Sequence, residues 1–354
     1  MKEQKDMFGL LDMMLQPVFC VKDNTVLRCN AAARQLLGDL EGAEVPLTAA
    51  SAEEYAAFSE GRLYLTLTLA GQQMGASVRK LDDLDVFELD PVSEDESLRA
   101  MALAARELRK PLSAALSSTA TLLDSQEDPD ALEQLSRLNR GLYQMLRTIG
   151  NMSDAGSVSS HCSMDTVDIP AVFREIFEKA QVLASQAGIL LTWQDLPESL
   201  YGLADRDLLE RAVLNILSNA MKFTPQGGEI RASLTRRGRT LRLTVEDSGS
   251  GIDRDVMGNL FQRHLRQPGL EDSRFGVGLG IRLIHSAARH HGGTLLISST
   301  ETGGSRIVLT LSIRQKGQDR LSSPVFSLDY TGGFDHALVE LSDVLPATLY
   351  DDTF

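Results

Sequence analysis

The stretch Leu208-Leu209-Glu210-Arg211-Ala212-Val213-Leu214-Asn215-Ile216-Leu217-Ser218-Asn219-Ala220-Met221-Lys222 decides how the rest of this chain is read. Its apolar residues recur at helical spacing. Asn215 and Asn219 lie four apart on one face, and Lys222 is one turn further, so two amides and an ammonium line one helix edge. Downstream, Leu241 to Val245 alternates as a strand and runs into Glu246-Asp247-Ser248-Gly249-Ser250-Gly251. Gly276-Val277-Gly278-Leu279-Gly280 follows, ahead of the helical periodicity of Ile281, Ile284 and Ala288. Glycines let a backbone approach a ligand closely, and the amides at a helix start suit phosphate oxygens. A polar helix edge, a strand-end carboxylate and two glycine clusters between Asp205 and Gly293 therefore point to a nucleotide site.

The chain has 354 residues, 43% of them hydrophobic and 24% charged, with ample length for two or three packed domains. A net charge of −14 argues against nucleic acid or an anionic membrane as a general partner. Arg231, Arg236, Arg237, Arg239 and Arg242 cluster locally, as expected of a solvated hairpin. Cys20, Cys29 and Cys162 lack metal-ligand spacing, which suits free thiols in a reducing compartment. No secretory pattern opens the sequence and no run approaches the roughly 20 apolar residues of a membrane helix. The expectation is a cytoplasmic protein with no membrane insertion.

Residues 5–90 read as a small mixed unit. Leu10 to Leu15 has a short helical pattern. Pro17 to Val21 and Val26 to Cys29 form a hairpin around Asp23-Asn24, and Asn30 caps a helix closed by Gly38. Three strands follow, over Leu63 to Leu69, Met74 to Val78 and Leu84 to Leu89. Residues 95–155 show two helices with heptad-like apolar spacing, broken at Ser125 to Pro129. One hairpin buries a single seam poorly, so a homodimer through a four-helix bundle is expected. A polar linker (Gly156 to Asp165) precedes the unit at 165–314. Residues 315–354 carry seven acidic and two basic residues and are expected to be an acidic, solvated C-terminal extension. That extension holds a strand-like run (Val325 to Tyr330) and a helix candidate (Asp335 to Leu345).

The ordered motifs from Asp205 to Ile313 resemble the ATP-binding domain of sensor histidine kinases, a GHKL-type α/β sandwich. Asn215 to Pro225 is similar to that family's N box, and Asp247 to Gly251 to its first glycine box. Leu260-Phe261-Gln262-Arg263 is similar to its F box, and Gly276 to Gly280 to its second glycine box. The resemblance implies that ATP and Mg2+ are bound. It gives Asn219 as the magnesium ligand, Asn215 as its neighbour on the same edge, and Lys222 as a phosphate contact. Asp247 would accept from the adenine amino group. Gly249, Gly251 and Ile252 would line the base, and Gly276, Gly278, Leu279 and Gly280 the phosphates. Residues between Phe261 and Gly276 read as a lid over ATP. The N-terminal unit resembles a PAS sensory domain, with Asn30 where that family often places an asparagine. The expected fold class is thus α+β multidomain: a PAS-like domain, a helical hairpin in a dimeric bundle, and a GHKL-type domain.

The hairpin also resembles the family's dimerisation and phosphotransfer domain. Arg106-Glu107-Leu108-Arg109-Lys110-Pro111-Leu112 aligns with the H box, His-Glu-Leu-Arg-Thr/Asn-Pro-Leu. Two departures matter. Arg106 stands where the phosphoacceptor histidine would be, and a guanidinium has no lone pair with which to attack phosphorus. Glu107, implied to take the imidazole proton, is left with nothing obvious to deprotonate. Lys110 replaces the threonine or asparagine that orients water for dephosphorylation, and an ammonium cannot accept a hydrogen bond. His161, His264, His285, His290 and His291 occupy no matching position on the hairpin. The resemblance implies two-component phosphorelay signalling, with a response regulator or another histidine kinase as partner. The departures favour a pseudokinase or regulatory subunit. The alternatives are a phosphotransferase acting in trans on an intact kinase, and a non-enzymatic scaffold.

Overall fold

The computed structural model describes residues 14, 16–45, 47, 49–69, 72–81, 84–90, 96–157, 164–251, 279–300, 303–314, 331 and 333–351. The first unit opens with β1 (Val18–Lys22) and β2 (Thr25–Cys29), joined by Asp23 and Asn24 at φ 49° and 64°. Both central residues of this turn are left-handed, which Asp and Asn tolerate and which matches the twist of a two-residue hairpin. Helices α1 (Ala31–Leu37) and α2 (Ala49–Ala57) follow, then β3 (Arg62–Leu69), β4 (Gln72–Leu81) and β5 (Leu84–Asp90). Asn30 ties the unit together. Its Oδ1 accepts from the amides of Val18 and Ala33, at 3.0 and 2.8 Å, and its Nδ2 donates to the carbonyls of Gln16 and Met14, at 2.7 and 3.1 Å.

Two long helices come next, α3 (Glu96–Ser125) and α4 (Pro129–Ser157), packed side by side as the expected hairpin. Pro111 lies inside α3, where it removes the bond to the carbonyl of Glu107 without ending the helix. The second α/β unit contains β6 (Asp165–Asp168), α5 (Ile169–Gln186), β7 (Leu190–Gln194), β8 (Tyr201–Ala204), α6 (Arg206–Phe223), β9 (Glu229–Arg237) and β10 (Thr240–Asp247). It is completed by α7 (Leu279–His290), β11 (Leu295–Ser299) and β12 (Ser305–Ser312). Strand β7 runs parallel to β9; the other pairs are antiparallel, and β6 with β8 forms a separate ribbon. Helix α6 packs across the sheet between α5 and α7. Among the described residues, no helix is long and apolar enough to cross a membrane.

The sequence reading has the first and third units as separate sheets. Instead β11 pairs with β3, matching Leu295 with Tyr64, Leu296 with Leu63 and Ile297 with Arg62. Among the described residues one ten-stranded sheet results, in the order β2-β1-β5-β4-β3-β11-β12-β10-β9-β7. Two edges that would otherwise offer unpaired backbone groups satisfy each other. An ion pair from Arg242 on β10 to Glu54 on α2 reinforces the junction, so the arginine cluster is only partly the solvated hairpin expected of it.

The C-terminal extension departs further from expectation. Val325 to Tyr330, like the Leu10 to Met13 part of the N-terminal helical pattern, lies outside the described residues. From residue 333 to 351, however, the chain is not a solvated appendage. Helix α8 (His336–Glu340) and a 3-10 turn (Ala347–Tyr350) bury Leu338, Val339, Leu341, Leu345 and Tyr350 in the same core as α4, α5 and α6. Helix α8 is shorter than the Asp335 to Leu345 candidate. Asp335 caps it, accepting from Ala337 and Leu338 at 2.8 and 3.0 Å, and turns continue to Leu345.

Candidate functional site

The site grows from the pleat of β10. Leu241, Leu243 and Val245 face the helices, and the same alternation delivers Asp247 to that side at the strand's end. Its Oδ1 accepts from the amides of Gly249 and Ser305, at 2.9 and 3.2 Å. Burial pushes its carboxyl above the usual carboxylate range, against the opposing pull of the Gly249 and Ser305 hydrogen bonds. Gly249 passes so close to the end of α6 that a Cβ there would lie 2.4 Å from the Phe223 carbonyl oxygen and 2.8 Å from Asp247 Oδ1. Gly251 has φ +73°, and a Cβ would meet the Gly303 carbonyl at 2.4 Å. Gly249, with Asp247 bonded to its amide, is therefore held against the C-terminal end of α6, where Asn219 and Lys222 lie half-buried, while Gly251 sits against the 303–304 turn.

The start of α6 is equally fixed. Asp205 caps it, accepting from the amide of Leu208 at 3.0 Å. The Asp205 N–H in turn donates to His291 Nε2 at 3.0 Å, beyond the end of α7. Because Nε2 accepts, the proton sits on Nδ1, which donates to the Ala287 carbonyl at 2.7 Å. Burial lowers the His291 pKa from 6.5 to about 4, partly offset by the Ala287 bond.

The two asparagines that head the sequence argument have different fates. Asn219 makes no side-chain hydrogen bond among the described residues, so its amide oxygen faces no competitor there. Asn215 is fully buried and fully engaged. Its Nδ2 donates to the Arg211 carbonyl and to Glu340 Oε2, both at 3.0 Å, and its Oδ1 accepts from Arg147 Nη2 at 3.3 Å. Gly280 opens α7 beside it, where a Cβ would lie 2.8 Å from Asn215 Oδ1. The elements that carry Asn215, Asn219, Lys222, Asp247, Gly249, Gly251 and Gly280 thus converge. Ile252, Gly276, Gly278, the Leu260 to Arg263 motif and the lid stretch lie outside the described residues, as does the side chain of Leu279.

Arg106, Glu107 and Lys110 are all exposed on α3, with Arg109 half-buried beside them. The residues the sequence reading missed are Arg147, Arg211 and Glu340. Among the described residues no group of three His, Cys, Asp or Glu side chains could hold a metal ion, and Cys20 and Cys29 are buried free thiols. Burial pushes the Cys20 thiol up to about 11.

Residues 204–315 match the family described as histidine kinase-, DNA gyrase B- and HSP90-like ATPase. A sensor-like histidine kinase, SenX3, from Mycolicibacterium smegmatis is 29% identical over 259 residues, covering 69% of this chain and 66% of that protein. Residues 204–315 are thus an ATPase domain of this family, in a chain similar to sensor histidine kinases. The adaptive-response sensory kinase SasA of Crocosphaera subtropica is 27% identical over 256 residues, 68% of this chain and 66% of that one. The match thus spans just under two thirds of the length of either relative. Among solved structures, full-length ShkA in complex with AMPPNP aligns over 61% of this chain and 46% of its own, with 21% identity and a TM-score of 0.48. Asn215 and Asn219 fall on α6 inside the matched region, and the exposed Arg106 falls on the hairpin before it.

Proposed function

We propose that this chain binds ATP with Mg2+ at the site built from α6, β10 and α7, and serves two-component signalling as a regulatory pseudokinase. The observation that carries the reading is a pairing of opposites: Asn219, Lys222 and Asp247 brought to one edge, beside a hairpin whose exposed acceptor position is Arg106. The residues present fit the ligands. The Asp247 carboxylate, oriented by two backbone amides, can accept from an adenine amino group, and the Cβ-less surface at Gly249 and Gly251 admits a flat base. The Asn219 amide oxygen suits a hard cation that keeps most of its water, and Lys222 offers a phosphate a point charge. Magnesium, when bound, would neutralise part of the triphosphate charge.

The order β2-β1-β5-β4-β3 in the first unit supports the PAS-like sensory reading. Large apolar side chains left half exposed on the hairpin support a homodimer. Leu108 and Leu122 lie two heptads apart on α3, and Leu138 and Met145 one heptad apart on α4, so each helix shows an apolar row to a second copy. A response regulator or another histidine kinase is the proposed partner. The cytoplasm is the proposed location, in keeping with the free thiols of Cys20 and Cys29.

Incubation of the purified chain with γ-labelled ATP and magnesium tests the proposal. Nucleotide retention without acid-labile label on the chain is the expected result. Label on the chain itself would overturn the pseudokinase reading, and transfer to an added histidine-bearing partner would replace it with phosphotransfer in trans.

A further inference from the structure

We infer that the C-terminal segment 335–350 is an intramolecular latch that fastens hairpin helix α4 to the N-box helix and withholds Asn215 from nucleotide. The inference rests on the nucleotide reading of that helix and adds a regulatory state to it.

The latch has a defined tip. Glu340, the last residue of α8, has a fully buried side chain. A carboxylate so placed requires compensation from several donors. It receives Arg147 Nε from α4 at 3.3 Å and Arg211 Nε from α6 at 3.4 Å, and it accepts from the Asn215 amide at 3.0 Å. One acidic side chain therefore bridges the hairpin and the ATP-binding unit through the N-box asparagine itself. Arg147 closes the ring by donating to Asn215 Oδ1 and pairing with Asp343.

The shaft behind the tip is equally specific. Along one face of α4, Asn139 donates to the Tyr350 carbonyl at 2.9 Å, Arg140 to the carbonyls of Ser342 and Asp343 at 3.0 Å each, and Gln144 to Ser342 at 3.2 Å. Tyr350 is buried against Tyr143, edge to face, with ring centroids 4.9 Å apart. This is a folded interface, and it packs a carboxylate paired with two guanidiniums onto the helix edge proposed for the triphosphate. Both Asn215 N–H donors are taken and its oxygen already carries the Arg147 guanidinium, so the amide has no donor left for a ligand and one lone pair at most. Nucleotide binding and latch closure therefore compete, and the apparent affinity for MgATP is reduced by the fraction of molecules that are latched.

Calorimetric titration of the full chain with MgATP tests this, using two variants that loosen the latch by different routes. Glu340→Gln leaves one neutral oxygen to serve two guanidiniums and an amide. Tyr350→Ala releases the far end of the latch without touching the nucleotide edge. Each is expected to bind MgATP at least about fivefold more tightly than the parent, as the latched fraction falls. Amide exchange in 335–350 is expected to quicken in both. Equal affinity in all three proteins overturns the latch and leaves the nucleotide site standing. Weaker binding in both variants also overturns it, since the segment would then be building the site. A chain that binds MgATP in no form sinks the nucleotide reading and the latch together.

Discussion

The imidazole of His291 holds the cap of the N-box helix: its Nε2 accepts the backbone N–H of Asp205 at 3.0 Å. Protonation of Nε2 destroys that bond. Because burial lowers the folded-state pKa from 6.5 to about 4, the unfolded chain binds this proton more readily between those values. Its contribution to stability is whole above about pH 6.5 and is lost as the pH falls toward 4. At about 1.4 kcal/mol per pKa unit the loss reaches at most roughly 3 kcal/mol. His285, also buried and shifted down, adds to the slope in the same direction. Urea unfolding of the parent and of His291→Asn across pH 4–7 isolates one share. The variant should be less stable at pH 7, and the difference should shrink toward pH 4. A constant difference would show that His291 does not titrate as a buried neutral ring.

Asp247→Asn separates charge from shape. The new amide oxygen can still accept from Gly249 and Ser305, so unfolding by denaturant should be little changed. A hydrogen bond to a charged acceptor contributes about 1.5–3 kcal/mol, so the loss of the adenine contact should weaken MgATP binding about 10- to 100-fold. MgGTP should show no comparable loss. Equal weakening of both nucleotides would argue against Asp247 as the base-reading group.

Much of this site was legible in the sequence because its rules are local. Period-two alternation in Leu241 to Val245 predicts that Asp247 is carried to the helix side, and helical spacing puts Asn215 and Asn219 on α6. What was not legible depends on distant partners. Glu340 sits 193 residues from Arg147 and 129 from Arg211, and in a run richer in acid than base its charge reads as solvated. Only the buried guanidiniums explain it. The joining of β3 to β11 was hidden for a similar reason, since an edge strand carries no local mark of which other edge it will meet.

The apolar rows of the hairpin predict its oligomeric state. Leu122 and Leu138 are each 53% exposed in a single copy, so a lysine at either position creates no cavity within the chain. Leu122→Lys combined with Leu138→Lys should convert a sedimenting dimer to monomer, with the unfolding midpoint at low concentration unchanged. A parent chain already monomeric at tens of micromolar would remove the bundle from the proposal.

Arg106→His asks whether the acceptor alone is missing. Position 106 is exposed on α3, beside Glu107, and a neutral imidazole supplies the lone pair that guanidinium lacks. Glu107 could then take the ring proton as phosphorus is attacked. The expected outcome is acid-labile label from γ-labelled MgATP in Arg106→His, none in the parent, and none in Arg106→His combined with Asp247→Asn. The signal should rise when Tyr350→Ala is added, because opening the latch raises the fraction of the chain able to hold MgATP. Failure of Arg106→His to label, with MgATP bound and Tyr350→Ala present, would mean that this hairpin has lost more than its acceptor. Lys110 would be the next position to restore.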